Sequence, residues 1–137
     1  MLQDAFAGRA ADRSARTAEG AAILVVEDEP LLRELISETL ELEGASVVAV
    51  ASAADALAIL RSDEPIGILF TDIDLPGGMD GYALGREART IRPRLQVIYT
   101  SGARPSLDGG GAVRGSTFIP KPYRPFQVST LLSGLAR

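Results

Sequence analysis

Apolar residues in this chain fall into short continuous runs, and between the runs they recur at helical spacing. The first run, Ala-Ala-Ile-Leu-Val-Val over residues 21–26, stops abruptly at Glu27-Asp28-Glu29. A run of that length bounded by charges predicts a strand buried on both faces. Pro30 suits a first helical turn, and Leu31, Leu32, Leu35, Ile36 and Leu40 then repeat at helical spacing until Gly44 closes the segment. The alternation continues with a strand over 46–51, a helix over 53–61 and an apolar strand over 66–71 that ends in acids. After the Pro76-Gly77-Gly78 turn, Asp80 is placed to cap a helix from Gly81 to about Thr90, and a strand over 96–100 follows. Residues 102–116 contain Pro105 and Gly109-Gly110-Gly111, so any helix there is short or irregular. A strand over 117–119 and a last helix from Phe126, with Val128, Leu131, Leu132 and Leu135 on one face, complete the pattern. Strands alternating with helices predict a doubly wound α/β fold: a five-stranded parallel sheet in a three-layer α/β/α sandwich.

Residues 1–20 break this texture, mixing Ala, Gly, Arg9, Arg13 and Arg16 with Asp4, Asp12 and Glu19. They predict a flexible tail without chemistry, which leaves residues 21–137 as one folded domain. The first helix carries a wider apolar stripe, from Leu31 to Leu42, than a core-facing surface needs.

Composition removes whole classes of function. The chain has no cysteine and no histidine, which excludes disulfides, thiolate chemistry and His-based triads or zinc sites. The net charge of −4 argues against a nucleic-acid partner, and no apolar run approaches the roughly 18 residues of a membrane span. A soluble, cytoplasmic protein is expected. Among 14 basic residues only Lys121 is a lysine, which singles it out.

In open α/β sheets, ligands bind beyond the carboxyl ends of the strands. Those ends carry Glu27 and Asp28, Asp72 with Asp74 behind it, Thr100-Ser101-Gly102, and Lys121-Pro122. Taken singly, each has an ordinary explanation: acids that complement a helix dipole, a turn hydroxyl, a solvated cation. Together they form an acidic group that requires a cation, and all-oxygen ligation selects a hard ion such as Mg²⁺.

Four segments resemble, in order and spacing, the receiver domain of bacterial two-component response regulators, a flavodoxin-like fold. They are Val-Val-Glu-Asp-Glu-Pro, Thr-Asp-Ile-Asp-Leu-Pro-Gly-Gly-Met-Asp-Gly, Tyr-Thr-Ser-Gly and Phe-Ile-Pro-Lys-Pro-Tyr, and the resemblance covers about residues 22–136. It implies a phosphorylation-controlled signalling switch, not a metabolic enzyme, whose phosphoacceptor is Asp72. It further implies Mg²⁺ bound by Asp28, Asp72 and the backbone carbonyl of Asp74, with Glu27 acting through water. Lys121 takes the position of the family's lysine and Ser101 that of its switch hydroxyl, while Phe118, three residues before the lysine, takes the aromatic switch position. The implied donor is a phosphohistidine on a histidine kinase or a histidine phosphotransfer protein, and output is expected through contacts with another protein, from a monomer or weak dimer.

Three departures accompany the resemblance. Phe118 lacks the hydroxyl often found there, the loop from Asp72 to Asp80 holds one extra residue at Gly77 or Gly78, and a Gly-rich stretch replaces much of the fourth helix. Alternatives are a receiver-like binding module that is not phosphorylated and a phosphohydrolase using Asp72 as nucleophile in an Asp-x-Asp pair with Asp74. The hydrolase is disfavoured because the paired acids precede that motif here. A nucleotide carrier is disfavoured because Glu27-Asp28-Glu29 would repel phosphate where a Gly-rich cradle is required.

Overall fold

A computed structural model describes residues 21–102 and 111–135 of the 137-residue chain. Its elements are β1 (Ala22–Val26), α1 (Pro30–Leu42), β2 (Val47–Val50), α2 (Ala53–Leu60), β3 (Ile66–Asp72), α3 (Gly81–Ile91), β4 (Gln96–Ser101), β5 (Thr117–Pro120) and α4 (Pro125–Leu135). The five strands form one sheet in the order β2-β1-β3-β4-β5, and every neighbouring pair is parallel. The expected tail over 1–20 lies outside the described residues, as does most of the segment expected to hold an irregular fourth helix. Gly102 and residues 111–116, the described parts of the β4–β5 connection, contain no helix.

Strand periodicity builds the three layers. Ala22, Leu24 and Val26 point into a core shared with Leu57, Leu60, Leu84 and Ala88 of α2 and α3. Ile23 and Val25 point the other way, toward Ile36 and Leu40 of α1 and Val128 and Leu132 of α4. All five residues of β1 are buried, as a central parallel strand covered on both faces must be. Gly44, at φ 99°, ends α1 in a conformation that costs glycine nothing, and Ala45 N–H returns to the carbonyl of Leu40 at 3.0 Å. Ser52 and Asp80 cap α2 and α3 by accepting the N–H groups of Asp55 and Ala83.

The apolar stripe of α1 exceeds what the core takes. Ile36 and Leu40 are buried, but Leu31 is 75% exposed and Leu42 89% exposed, with Leu35 also open to solvent. No helix among the described residues is long and apolar enough to cross a membrane.

Candidate functional site

The site forms because β1, β3, β4 and β5 end at one edge of the sheet. Parallel pairing sets Asp72, the last residue of β3, beside Thr100, and sets Ser101, the last residue of β4, beside Pro120. Lys121 follows immediately, and its N–H donates to the carbonyl of Ser101 at 2.9 Å. The lysine is thereby carried to the acid by backbone hydrogen bonding rather than by a mobile loop.

Lys121 Nζ donates to Asp72 Oδ2 at 2.9 Å and lies 3.3 Å from Glu27 Oε1. Both carboxylates are nearly inaccessible, with Glu27 at 1% and Asp72 at 4% exposure. Burying two like charges requires a counter-charge, and the only lysine of the chain supplies it. Burial raises the Glu27 carboxyl above its ordinary range, against the Glu29 N–H and the Lys121 ammonium, which lower it. Burial also pulls Lys121 down, but its hydrogen bond to Asp72 and the charges of Glu27 and Asp72 outweigh that and leave it raised.

The acidic triplet does not cap α1 through its N-cap side chain. Glu29 occupies the N-cap without a side-chain cap bond, whereas Glu27 Oε2 accepts the Glu29 N–H at 3.1 Å. Arg33 Nη1 donates to the Glu27 carbonyl at 2.9 Å and fixes that backbone from one helical turn on. Glu27 is therefore folded under the helix start and directed at Lys121, while Asp28 remains exposed.

Glu27, Asp28 and Asp72 each offer a carboxylate oxygen within 4.8 Å of the others. Glu27 Oε1 is buried and, although ion-paired with Lys121 at 3.3 Å, has no hydrogen-bond partner among the described residues. An all-oxygen set with one under-satisfied buried acceptor fits a hard divalent cation such as Mg²⁺.

The structure also shows what sequence spacing did not. Ser101 Oγ donates to Asp74 Oδ2 at 2.6 Å, and Asp74 N–H donates to Asp72 Oδ1 at 3.0 Å. The Asp-x-Asp spacing is the only sequence signal that could have pointed to Asp74, and the expectation there concerned its backbone carbonyl. Tyr123, two residues past Lys121, stacks edge-on against Phe70 at 6.1 Å. Its buried hydroxyl has no hydrogen-bond partner, and burial together with the charges of Glu27 and Asp72 raises its pKa strongly. Phe118 pairs with Tyr99 across the sheet and is half-buried against the α2/α3 core, so the site edge does not include it directly.

Gly81 explains how closely α3 approaches Asp72. A Cβ there would collide with the Asp72 carbonyl oxygen and meet Ile73 Cα at 2.6 Å, both backbone atoms. Only glycine permits the Gly81 N–H to reach the Ile73 carbonyl at 2.8 Å and pin the loop beyond Asp72.

Known proteins place this arrangement. The sequence pattern of the response regulator receiver domain matches residues 23–132. The response regulator receiver protein CpdR of Brucella abortus is 34% identical over 103 residues, covering 74% of this chain and 84% of CpdR. The C4-dicarboxylate transport transcriptional regulatory protein DctD of Rhizobium meliloti is 41% identical over 103 residues, covering 74% of this chain but 22% of DctD. The chain spans less than half the length of several of the curated relatives it matches, 9% in the case of the sensor protein TorS of Escherichia coli. Among solved structures, a response regulator receiver protein from Sinorhizobium medicae superimposes with a TM-score of 0.78 at 34% identity, covering 86% of this chain and 95% of that one. The sheet order, the buried acid–lysine pair and these matches lead to one conclusion: the chain belongs to the response regulator receiver domain family of two-component systems.

Proposed function

We propose that Asp72 is the phosphoacceptor of a signalling switch and that its donor is a phosphohistidine on a partner histidine kinase or phosphotransfer protein. The observation that carries this reading is the 2.9 Å contact of Lys121 Nζ with Asp72 Oδ2 inside an acidic cluster suited to a divalent ion. With no histidine of its own, the chain needs the donor from elsewhere.

In the transfer, a carboxylate oxygen of Asp72 forms a bond to phosphorus as the phosphorus–nitrogen bond of the donor breaks and the imidazole leaves. Asp28 and Asp72, the Asp74 carbonyl and, through water, Glu27 would hold Mg²⁺, which when bound supplies positive charge to the phosphoryl oxygens. Lys121 holds the acceptor in place before transfer and neutralises charge on the phosphoryl group as it arrives. The backbone N–H of Asp74 fixes the second oxygen of Asp72, so the carboxylate is oriented at both ends before the donor docks. Once Asp72 carries the phosphoryl group, the Ser101 hydroxyl exchanges its bond to Asp74 for a phosphoryl oxygen and draws the end of β4 inward. Phe118, paired one strand over with Tyr99, then senses the movement of β4 as a change in packing.

The exposed leucines of α1, Leu31 and Leu35, start from the same edge of the sheet and offer an apolar docking surface for a helical bundle of the donor.

The test is incubation with Mg²⁺ and acetyl phosphate, followed by intact-mass measurement. Wild-type protein should gain one base-labile phosphoryl group, and Asp72→Ala should gain none. Equal labelling of the two proteins overturns the assignment of the acceptor.

A further inference from the structure

Away from the strand ends, α3 and the chain entering β5 border a wide-open cavity of about 450 Å³ lined by Arg86, Arg89, Thr90, Gly111, Val113 and Arg114. Three arginines and, among the described residues, no carboxylate line it, in a protein whose net charge is −4. The one acid on α3, Glu87, is turned to Arg61 at 3.4 Å, and no ion pair neutralises Arg86, Arg89 or Arg114 among the described residues. Arg89 Nε is buried without a hydrogen-bond acceptor among the described residues. A shielded donor on a charged group left without an acceptor points to a missing one.

The cavity wall is built rather than incidental. Arg86 Nη1 donates to the Gly111 carbonyl at 3.1 Å, and Gly111 stands at φ 101°, a left-handed conformation that favours glycine. Val113 N–H donates to the Tyr99 hydroxyl at 3.2 Å, which ties the opposite wall to β4. Arg89 in the last turn of α3 complements the helix dipole, but that role accounts for neither Arg86 nor Arg114.

We propose that this cavity is an anion-binding site for a phosphate dianion, as inorganic phosphate or as the phosphomonoester group of a small molecule. A carboxylate has two oxygens, which a single guanidinium fork can serve, whereas three arginines around one cavity match the charge and the additional acceptor oxygens of a phosphate. The site is separate from Asp72, and its existence does not depend on phosphotransfer.

The test is titration of the metal-free protein with inorganic phosphate, with glutarate as the carboxylate control, followed by amide ¹H–¹⁵N shifts of Thr90, Gly111 and Val113. Phosphate should give a saturable shift at these residues with a dissociation constant below about 10 mM, weakened at least tenfold in Arg89→Gln. Arg114→Gln, at an exposed position, should weaken it likewise while leaving the rest of the spectrum in place, which guards against a variant that fails to fold. Phenyl phosphate should compete with inorganic phosphate if the natural ligand is a phosphomonoester, and failure to compete restricts the site to the free ion. Absence of a saturable shift, or an equal shift in both variants, overturns the site. Tighter binding of glutarate than of phosphate overturns the ligand class.

Discussion

Removing the Asp74 carboxylate should make the phosphorylated conformation easier to reach. The Ser101 hydroxyl donates to that carboxylate at 2.6 Å, so under the proposed switch it must give up this bond before it can serve a phosphoryl oxygen. A hydrogen bond to a charged group contributes about 1.5–3 kcal/mol, but Asp74 is exposed and solvent competes, so the net value falls to about 1 kcal/mol. That is about fivefold in an equilibrium. Asp74→Ala should therefore bind beryllofluoride, a stable mimic of the phosphoryl group, about fivefold more tightly in the presence of Mg²⁺, read by calorimetry. Loss of a negative charge near the site would also favour an anion, and the two causes separate in a double-mutant cycle. If the hydroxyl exchange is the cause, Asp74→Ala adds nothing in a Ser101→Ala background. If simple repulsion is the cause, the gain persists there and fades with salt. A gain of the same size in both backgrounds, or no gain at all, refutes the exchange.

Gly81→Ala should cost about 1–3 kcal/mol in urea unfolding and suppress the proposed labelling of Asp72, because the new methyl would meet backbone of Asp72 and Ile73 that cannot yield without moving Asp72. Tyr123→Phe should leave stability unchanged or raise it by about 1 kcal/mol, since the lost hydroxyl is buried without a partner; a fall of similar size would reveal a bond that the hydroxyl makes. Glu27 has a folded-state pKa raised above 4.5, so the native state binds its proton more readily than the unfolded chain does. Its contribution to stability is present below pH 4.5 and is lost as pH rises through the folded value. Mg²⁺ affinity should climb over that same interval as the proton leaves, and Glu27→Gln should flatten the climb, as measured by metal titration at stepped pH.

Much of the fold could be read from pattern because each strand interrupts helical spacing with a run of apolar residues. The ends were read less well where long-range pairing decides them. The apolar texture stops at Thr71 and Thr100, yet β3 and β4 run on to Asp72 and Ser101, because their neighbours in the sheet continue to pair with them. That single extra residue matters: it places Asp72 and Ser101 on rigid backbone rather than in loops. Glu27, Asp28, Asp72 and Lys121 could be placed together from the rule that parallel strands deliver their ends to one edge. The Ser101–Asp74 bond spans 27 positions and depends on the path of the loop after β3, and the arginine cavity depends on how residues 111–114 lie against α3; neither carries a periodic signal.

The charge arrangement explains why a site built this way should act as a switch and not only as an acceptor. Glu27, Asp28 and Asp72 bring three negative charges against the single positive charge of Lys121, a deficit of two that one divalent ion would cancel. The proposed phosphorylation of Asp72 would convert a monoanionic carboxylate into a dianionic phosphoryl group, so neutrality would fail by one charge beside a Glu27 already raised toward protonation by burial. The cheapest relief close at hand is a neutral donor, and the Ser101 hydroxyl is the one whose present acceptor, Asp74, is exposed enough to be returned to water. Exchange of that donor would cost little on the Asp74 side and gain most on the side where charge would accumulate. Under the proposed switch, the end of β4 would be the element on which new charge at Asp72 acts first, and Lys121, bound through its backbone to Ser101, would move with it.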